Sequence, residues 1–548
     1  MARRNGFAQI ARVVGALLML GAAANASAGQ GGAIRAVGAV GAVGAVGAVG
    51  AVDDACAALG ALRLPDTMIT SAATVAGPSF TPPGSRPLDG LPAFCRVVGL
   101  SRPAINFEVW MPLEGWAGRF QGVGNGGMAG TISYDAMATA LGRGAATASS
   151  DTGHVTGGLF DASWAIGRPD LIEDFGHRGT HVMTVHAKTI VNAFYDRNIG
   201  HSYFVGCSKG GQQALMEAER YPEDYDGIVA GDPANDWTRF YAGGHAWIAN
   251  ATRRNPESWV PPHKIPLIAD AVIRACDAID GIRDGVLDDP RACRYDPAPL
   301  TCPDGRDAAD CLTAPQVQAV RDIWAGARSA AGELIFPGIA RGGEHGPGGW
   351  ATWITGRSAG AGFHEQAADG FFKYFVFENP EWDLHTFDFE RDVPVALEKV
   401  GRALDAADAD LRTFRDRGGK LIVYHGWSDP DISPISSIDY HERVAAVVGE
   451  GRPREEAFDA AREFFRLFMV PGMQHCSGGP GPNTFDMLTP LERWVEQGMA
   501  PTAVLASHAT DGAVDRTRPL CVYPQVAVYT GSGSTDDAAN FECRDPGR

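Results

Sequence analysis

The sequence predicts an α/β protein, a doubly wound and mainly parallel sheet interrupted by one large insertion. Three observations predict it. Between residues 182 and 233 a helix-like segment and short apolar runs alternate, the order that builds parallel sheets. From Asp236 to about Arg391 the pattern turns irregular, rich in Trp, Gly and Pro. Beyond it two more buried strands return, Lys420 to Trp427 and Phe464 to Val470.

From the N-terminus, Arg3, Arg4 and Arg12 precede the apolar run Val13–Ala24 and the small-residue site Ala26-Ser27-Ala28. This is the pattern of a secretory signal, assigned to 1–28. A run of about 12 apolar residues is too short to span a bilayer, and no later stretch reaches the roughly 18 required. A secreted or periplasmic protein with no membrane anchor after signal removal is expected. Residues 29–55 include the Ala-Val-Gly repeat of Ala36–Val52, which has no polar face and no helical period. It reads as a low-complexity linker. With 548 residues, 45% hydrophobic and 20% charged, the rest can bury a large core. The net charge is −18, and loss of the three leader arginines makes the chain more acidic still. That charge repels phosphate backbones, so no nucleic-acid partner is expected. The 10 cysteines are an even count in an exported chain, which favours disulfides. No C-x2-C pair offers a zinc site. Nothing in the sequence speaks to oligomeric state.

The first clear strands are Phe107–Pro112 and Gly118–Gly124, the second running into Asn125-Gly126-Gly127-Met128-Ala129-Gly130. Gly122-x-Gly124-x-x-Gly127 fits a dinucleotide loop, but no clear helix follows and no suitable acid lies about 20 residues on. The other reading is an oxyanion loop of backbone N–H groups, which α/β-hydrolases place after an early strand. Val182–Tyr195 has helical spacing. Then His201–Val205 reads as a strand and Gln212–Arg220 as a helix, flanking Gly206-Cys207-Ser208-Lys209-Gly210-Gly211. Gly-x-Ser-x-Gly between strand and helix is a nucleophile elbow. Gly227–Pro233 is the next strand. Residues 236–399 are assigned to an inserted lid, and 56–235 with 400–548 to the catalytic domain. Val393–Arg417 is expected to form one long amphipathic helix, stopped by Gly418-Gly419, and Pro490–Gln497 the last helix.

A nucleophilic serine needs a base, and the base an orienting acid. In α/β-hydrolases they follow in the order Ser, acid, His, on loops after strands. Asp429 follows the strand at 420–427, and His475 follows the one at 464–470. Ser208, Asp429 and His475 are therefore the candidate catalytic residues. Asp232 is a rival acid, because it too follows a strand. His425, inside a strand end, reads as a packed structural imidazole. Cys207 precedes Ser208 and Cys476 follows His475, so a disulfide between them would fix base against nucleophile.

With these residues in view the chain resembles the tannase and feruloyl esterase family. The resemblance rests on Gly206–Gly211, on Tyr424-His425-Gly426-Trp427-Ser428-Asp429-Pro430 and on Gln474-His475-Cys476. Gly124-Asn125-Gly126-Gly127 adds to it. It covers about Cys56 to Cys543. It implies an α/β-hydrolase core with an inserted lid, and hydrolysis of carboxylic esters, often of aromatic acids. It implies an oxyanion hole from the N–H groups of Lys209 and of Gly126 or Gly127. Together with sequence proximity it selects the pairs Cys56–Cys95, Cys207–Cys476, Cys276–Cys293, Cys302–Cys311 and Cys521–Cys543.

In the insertion, Asp277, Asp280 and Asp284 lie within eight residues with glycines between. Such a loop can wrap a hard cation, although it is not an EF-hand. The resemblance implies structural calcium there, on Asp277, Asp280 and Asp284 with the carbonyls of Ile282 and Val286. Small-molecule esters of phenolic acids, of the gallate or hydroxycinnamate kind, are the expected substrates. Aromatic residues of the insertion (Trp237, Tyr241, Trp247, Trp259, Trp350, Trp353, Phe371, Phe372, Tyr374 and Trp382) are expected to offer stacking surface. Terephthalate monoesters are the alternative within the family. A non-catalytic binding protein or a secreted serine peptidase on the same fold is the alternative outside it.

Overall fold

The computed structural model describes residues 53–545. The signal and the whole Ala36–Val52 repeat lie outside the described residues. The core is a nine-stranded sheet. Its strands in chain order are β1 (Thr67–Val75), β2 (Phe94–Ser101), β3 (Ile105–Pro112), β4 (Arg119–Val123) and β5 (Ala146–Ser150), then β6 (His201–Cys207), β7 (Gly227–Gly231), β8 (Lys420–Gly426) and β9 (Phe465–Val470). They lie in the order β1-β2-β3-β5-β4-β6-β7-β8-β9. The β1-β2-β3-β5 pairings are antiparallel, and every pairing from β5 to β9 is parallel.

Parallel strands covered on both faces read as continuous apolar runs, and all five residues of β7 are buried. Helices α1 (Gly179–Tyr195), α2 (Lys209–Arg220) and α3 (Pro434–Val448) share one core with Val109, Phe204 and Leu421. Helix α4 (Leu488–Gln497) closes the other face, where Leu491 and Trp494 pack on Val229 and Ile422. Because β6 to β9 run parallel, the loops after them open on one edge of the sheet. Ser208, Asp232, Asp429 and His475 are all carried to that edge.

Aromatics of the insertion fall in two apolar clusters, the first shared with Met128, Ile172 and Phe175 of the preceding chain. One holds Trp237, Tyr241, Phe371 and Phe372, another Trp350 with Val260 and Val272. These five aromatics, expected to offer stacking surface, are buried within the two clusters. Their rings fill the lid rather than line a pocket.

Two further expectations are corrected. Val393–Arg417 is not one helix. A helix at Phe389–Ala396 continues through a wider turn to Leu404, the chain then runs irregularly, and a short helix resumes at Arg412–Asp416. Asp405 and Ala406 are pulled out of register by the nucleophile side of the core. Asp405 Oδ1 accepts from Thr238 N at 2.8 Å, and Ala406 N donates to Asn235 O at 2.7 Å. A helix does follow the glycine-rich loop, at Tyr134–Gly142. The loop does not open that helix, however. It turns onto the elbow.

All five cysteine pairs expected from the sequence are disulfides.

Candidate active site

Ser208 sits between β6 and α2 with φ 63° and ψ −120°. A non-glycine residue in this region is strained by about 1–3 kcal/mol and stays only where its surroundings insist. Ser208 N donates to Gly231 O at 3.0 Å, and Ser208 O accepts from Gln212 N and Ala234 N at 3.0 and 3.2 Å. The flanking glycines are needed for contact. A Cβ on Gly206 would fall 2.4 Å from Gly210 O, and one on Gly124 2.5 Å from Gly210 Cα. Three bare backbones thus let the glycine-rich loop touch the elbow.

In that loop Asn125 N is taken by Gln213 Oε1, and Met128 N by Leu159 O. No acceptor among the described residues takes the N–H of Gly126 or Gly127. Gly127 has φ +54°, and a Cβ there would meet Leu159 at 2.5 Å. The Lys209 side chain points away and is buried. Its Nζ donates to Phe175 O and Gln212 Oε1 and lies 3.8 Å from the Phe175 ring centre. Burial holds the Lys209 ammonium well below its usual pKa.

Asp429 is buried at the end of β8. Its Oδ1 accepts from Asp431 N and Ile432 N at 2.8 and 3.0 Å. Its Oδ2 accepts from His475 Nδ1 at 2.8 Å. Burial pushes Asp429 up, but His475 and His425 outweigh it and hold the carboxylate low. Burial likewise pushes the His475 imidazole down, and the carboxylates Asp429, Asp431 and Asp232 outweigh burial and raise it. The Cys207–Cys476 disulfide, Cα–Cα 6.0 Å, joins Ser208 to this pair through their neighbours.

His425 is a packed imidazole as expected, sharing hydrogen bonds with Ser437 Oγ and Ile432 O. Its Nε2 also lies 3.3 Å from Asp429 Oδ2, so it backs the acid. Asp232 makes no hydrogen bond to the His475 ring. Its Oδ1 accepts from Gly426 N and its Oδ2 from Cys476 N, each at 2.7 Å. It clips the acid strand to the base loop.

Four residues went unnoticed in the sequence analysis or were given another role there. Asp431 Oδ2 lies 3.5 Å from His475 Nε2, and its other oxygen faces His245 and His364 of the insertion. The spacing Asp429-Pro430-Asp431 was a legible signal for a second carboxylate. The two histidines stand in irregular chain and gave none. The Trp353 ring meets the His475 ring edge-on at 5.1 Å. Of the ten aromatics named above, it is the one in ring contact with His475.

In the acidic loop, Asp277 Oδ1 accepts from Gly285 N at 2.9 Å and Asp280 Oδ1 from Ile282 N at 3.1 Å. Asp284 Oδ2 accepts from Arg518 at 2.7 Å. Burial first, then the neighbouring carboxylates, raise Asp280 to about 6. Asp288, next along, is lifted by burial to about 7. Arg518 and Arg516 both face Asp284, at 2.7 and 3.6 Å, which among the described residues leaves Asp277 and Asp280 as the carboxylates without a guanidinium that a hard cation could take. As donor types, these carboxylate oxygens are the kind calcium takes. Val286 also touches the base loop, since a Cβ on Gly472 would come 3.1 Å from its Cγ1.

Residues 91–544 match the family model described as tannase and feruloyl esterase. An uncharacterized esterase of Xanthomonas campestris is 42% identical over 90% of this chain and 92% of its own. The mono(2-hydroxyethyl) terephthalate hydrolase of Piscinibacter sakaiensis is 36% identical over 81% of this chain and 82% of its own. The crystal structure of feruloyl esterase B from Aspergillus oryzae superposes with a TM-score of 0.81. It is 28% identical, covering 90% of this chain and all of that one. With an α/β-hydrolase sheet, an elbow serine and a histidine–aspartate pair on one edge, the chain belongs to the tannase and feruloyl esterase family of carboxylic ester hydrolases.

Proposed function

We propose that the protein hydrolyses esters of phenolic aromatic acids through an acyl-enzyme on Ser208. His475 Nε2 takes the Ser208 proton as Oγ attacks the ester carbonyl, and returns it to the leaving alcohol. A water then enters by the same route and releases the acid. Asp429 holds the Nδ1–H tautomer and the imidazolium. The N–H groups of Lys209 and of Gly126 or Gly127 receive the oxyanion. The observation that carries this reading is the hydrogen bond from His475 Nδ1 to Asp429 Oδ2, tethered by Cys207–Cys476 to a strained elbow serine.

Substrate charge follows from Asp431. A carboxylate 3.5 Å from the base disfavours a second negative charge on the acyl ring, so neutral gallate or hydroxycinnamate esters are preferred to terephthalate monoesters. Calcium, held by Asp277, Asp280, Asp284 and the carbonyls of Ile282 and Val286, would neutralise the acidic loop and steady it against the base loop. The leader at 1–28 supports export to the periplasm or medium.

A panel of methyl gallate, methyl ferulate, a terephthalate monoester and a short aliphatic ester tests the reading, with Ser208→Ala as control. A phenolic ester should have the highest kcat/KM, and Ser208→Ala should abolish turnover. Highest kcat/KM on the terephthalate monoester reverses the substrate assignment. Full activity in Ser208→Ala removes the mechanism.

A further inference from the structure

We propose that His245, His364 and Asp431 form a binding site for a divalent transition-metal ion of the zinc class. Set against His475, this site arrests the esterase when occupied. The arrest rests on the catalytic reading above; the site itself does not.

The three donors converge. His245 Nε2 lies 2.9 Å from Asp431 Oδ1, and His364 Nε2 lies 3.4 Å from the same oxygen. The ring centres are 4.5 Å apart, and one donor atom from each residue lies within 4.8 Å of the others. Tetrahedral zinc, with bonds of about 2.0–2.2 Å to nitrogen and oxygen, spaces its ligand atoms by roughly 3.3–3.5 Å. Small shifts suffice to seat an ion.

Two imidazoles and one carboxylate suit zinc, cobalt or nickel rather than calcium. The group is enclosed, with His245, His364 and Asp431 exposed by 1%, 0% and 5%. Both ring nitrogens of His364 and Nδ1 of His245 are buried without a hydrogen-bond partner. Each unmade bond costs about 1–3 kcal/mol. A metal ion would give His364 Nε2 the partner it lacks.

The other candidate clusters among the described residues are less suited. Cys207, Asp232 and Cys476 include disulfide sulfurs, and the cluster of Asp232, Asp429 and His475 has its donors engaged in the His475–Asp429 pair and in backbone N–H bonds to Asp232. His181, Glu217 and Asp224 lie beside Lys188, whose Nζ donates to Asp224 O.

A further imidazole borders the group on the other oxygen of Asp431, and a shift of its ring would bring it in as fourth ligand. His475 Nε2 stands 3.5 Å from Asp431 Oδ2, on the side where the nucleophile's proton must be received. An ion on Asp431 takes that lone pair, and His475 can no longer act as base. Trp353 borders both His475 and His364, its ring centre 5.1 Å from that of His475 and 6.3 Å from that of His364. Neither His245 nor His364 donates Nδ1–H to an outer partner. Such partners are worth about 10–100-fold in affinity, so the site should bind reversibly rather than hold a permanent ion.

The experiment is a Co²⁺ titration of calcium-saturated Ser208→Ala, followed by the tetrahedral d–d absorption, with Zn²⁺ titrated in parallel by calorimetry. One ion per chain and a tetrahedral spectrum that excess Ca²⁺ leaves unchanged are expected. His245→Ala and His364→Ala, added separately, should weaken Zn²⁺ binding at least tenfold. His364→Gln serves if a truncation fails to fold. No tetrahedral absorption in Ser208→Ala overturns the site, whatever esters the wild type cleaves. Binding that ignores the histidine substitutions overturns it as well. In the wild type, Zn²⁺ should inhibit ester hydrolysis at the concentration at which it binds. Full activity with Zn²⁺ bound overturns the arrest.

Discussion

Replacing Asp232 by Asn should loosen the catalytic edge without removing any group that reacts. Asp232 is fully buried, and its two oxygens each accept one backbone N–H at 2.7 Å, from Gly426 in β8 and from Cys476 beside His475. Asn keeps one acceptor and turns an NH₂ toward the other N–H. One charge-assisted bond, about 1.5–3 kcal/mol, is lost, and one buried N–H is left unmade at about 1–3 kcal/mol. Together the loss is about 2.5–6 kcal/mol, enough to lower Tm by several degrees. The disulfide still holds Cys476, so the base loop shifts rather than detaches. Misplacement on the scale of 1 Å costs about 100-fold, whereas loss of the orienting acid costs about 10⁴-fold. Thermal melts and steady-state kinetics on a phenolic ester should therefore show Asp232→Asn with lowered Tm and a fall in kcat/KM of about 10–100-fold, and Asp429→Asn far more impaired. Wild-type Tm and kcat/KM in Asp232→Asn would refute the clip. An unchanged Tm with activity as low as in Asp429→Asn would make Asp232 the catalytic acid instead.

Three further outcomes are expected. Burial lifts Glu344 to about 7 although Gly342 N donates to both its oxygens. A raised carboxyl means that the folded state holds its proton more tightly, so this contribution to stability is full below about 4.5 and lost as pH rises to about 7. Glu344→Gln should flatten the decline of denaturant midpoint over that window, and an unchanged slope rejects the assignment. Cys207–Cys476 closes a separation of 269 residues, for which chain entropy gives about 5–6 kcal/mol. The double Ala variant should melt far below any variant of a local pair, and equal losses discard the argument. Chelation should lower Tm and added Ca²⁺ restore it by mass action, while a melt indifferent to both removes calcium from the acidic loop.

The elements nearest the chemistry were the most legible. Ser208, Asp429 and His475 stand just past strands whose apolar runs are continuous because both sheet faces are covered, and the elbow glycines have contacts that no side chain would allow. Farther out, local pattern lost to tertiary contact. Residues 393–417 have helical spacing, but Thr238 and Asn235 capture Asp405 and Ala406. The helix Tyr134–Gly142 buries only Met137, Ala140 and Leu141, too small an apolar face to stand out. The lid aromatics were visible as aromatics, yet composition cannot tell a ring that lines a cleft from one that fills a core. Asp232 was read as an acid and kept as a rival to Asp429. Its partners are main-chain N–H groups, which no residue type announces.

The long disulfide also orders assembly in time. A chain made from its N-terminus presents Ser208 early and Cys476 late, with the whole lid between them. The two lid pairs, Cys276–Cys293 and Cys302–Cys311, span only 17 and 9 residues and can close while the rest is still being made. Cys207 has to wait. Until residue 476 emerges and finds it, Ser208 is not yet tied to His475, and on the proposed mechanism a truncated or stalled chain should show no ester hydrolysis.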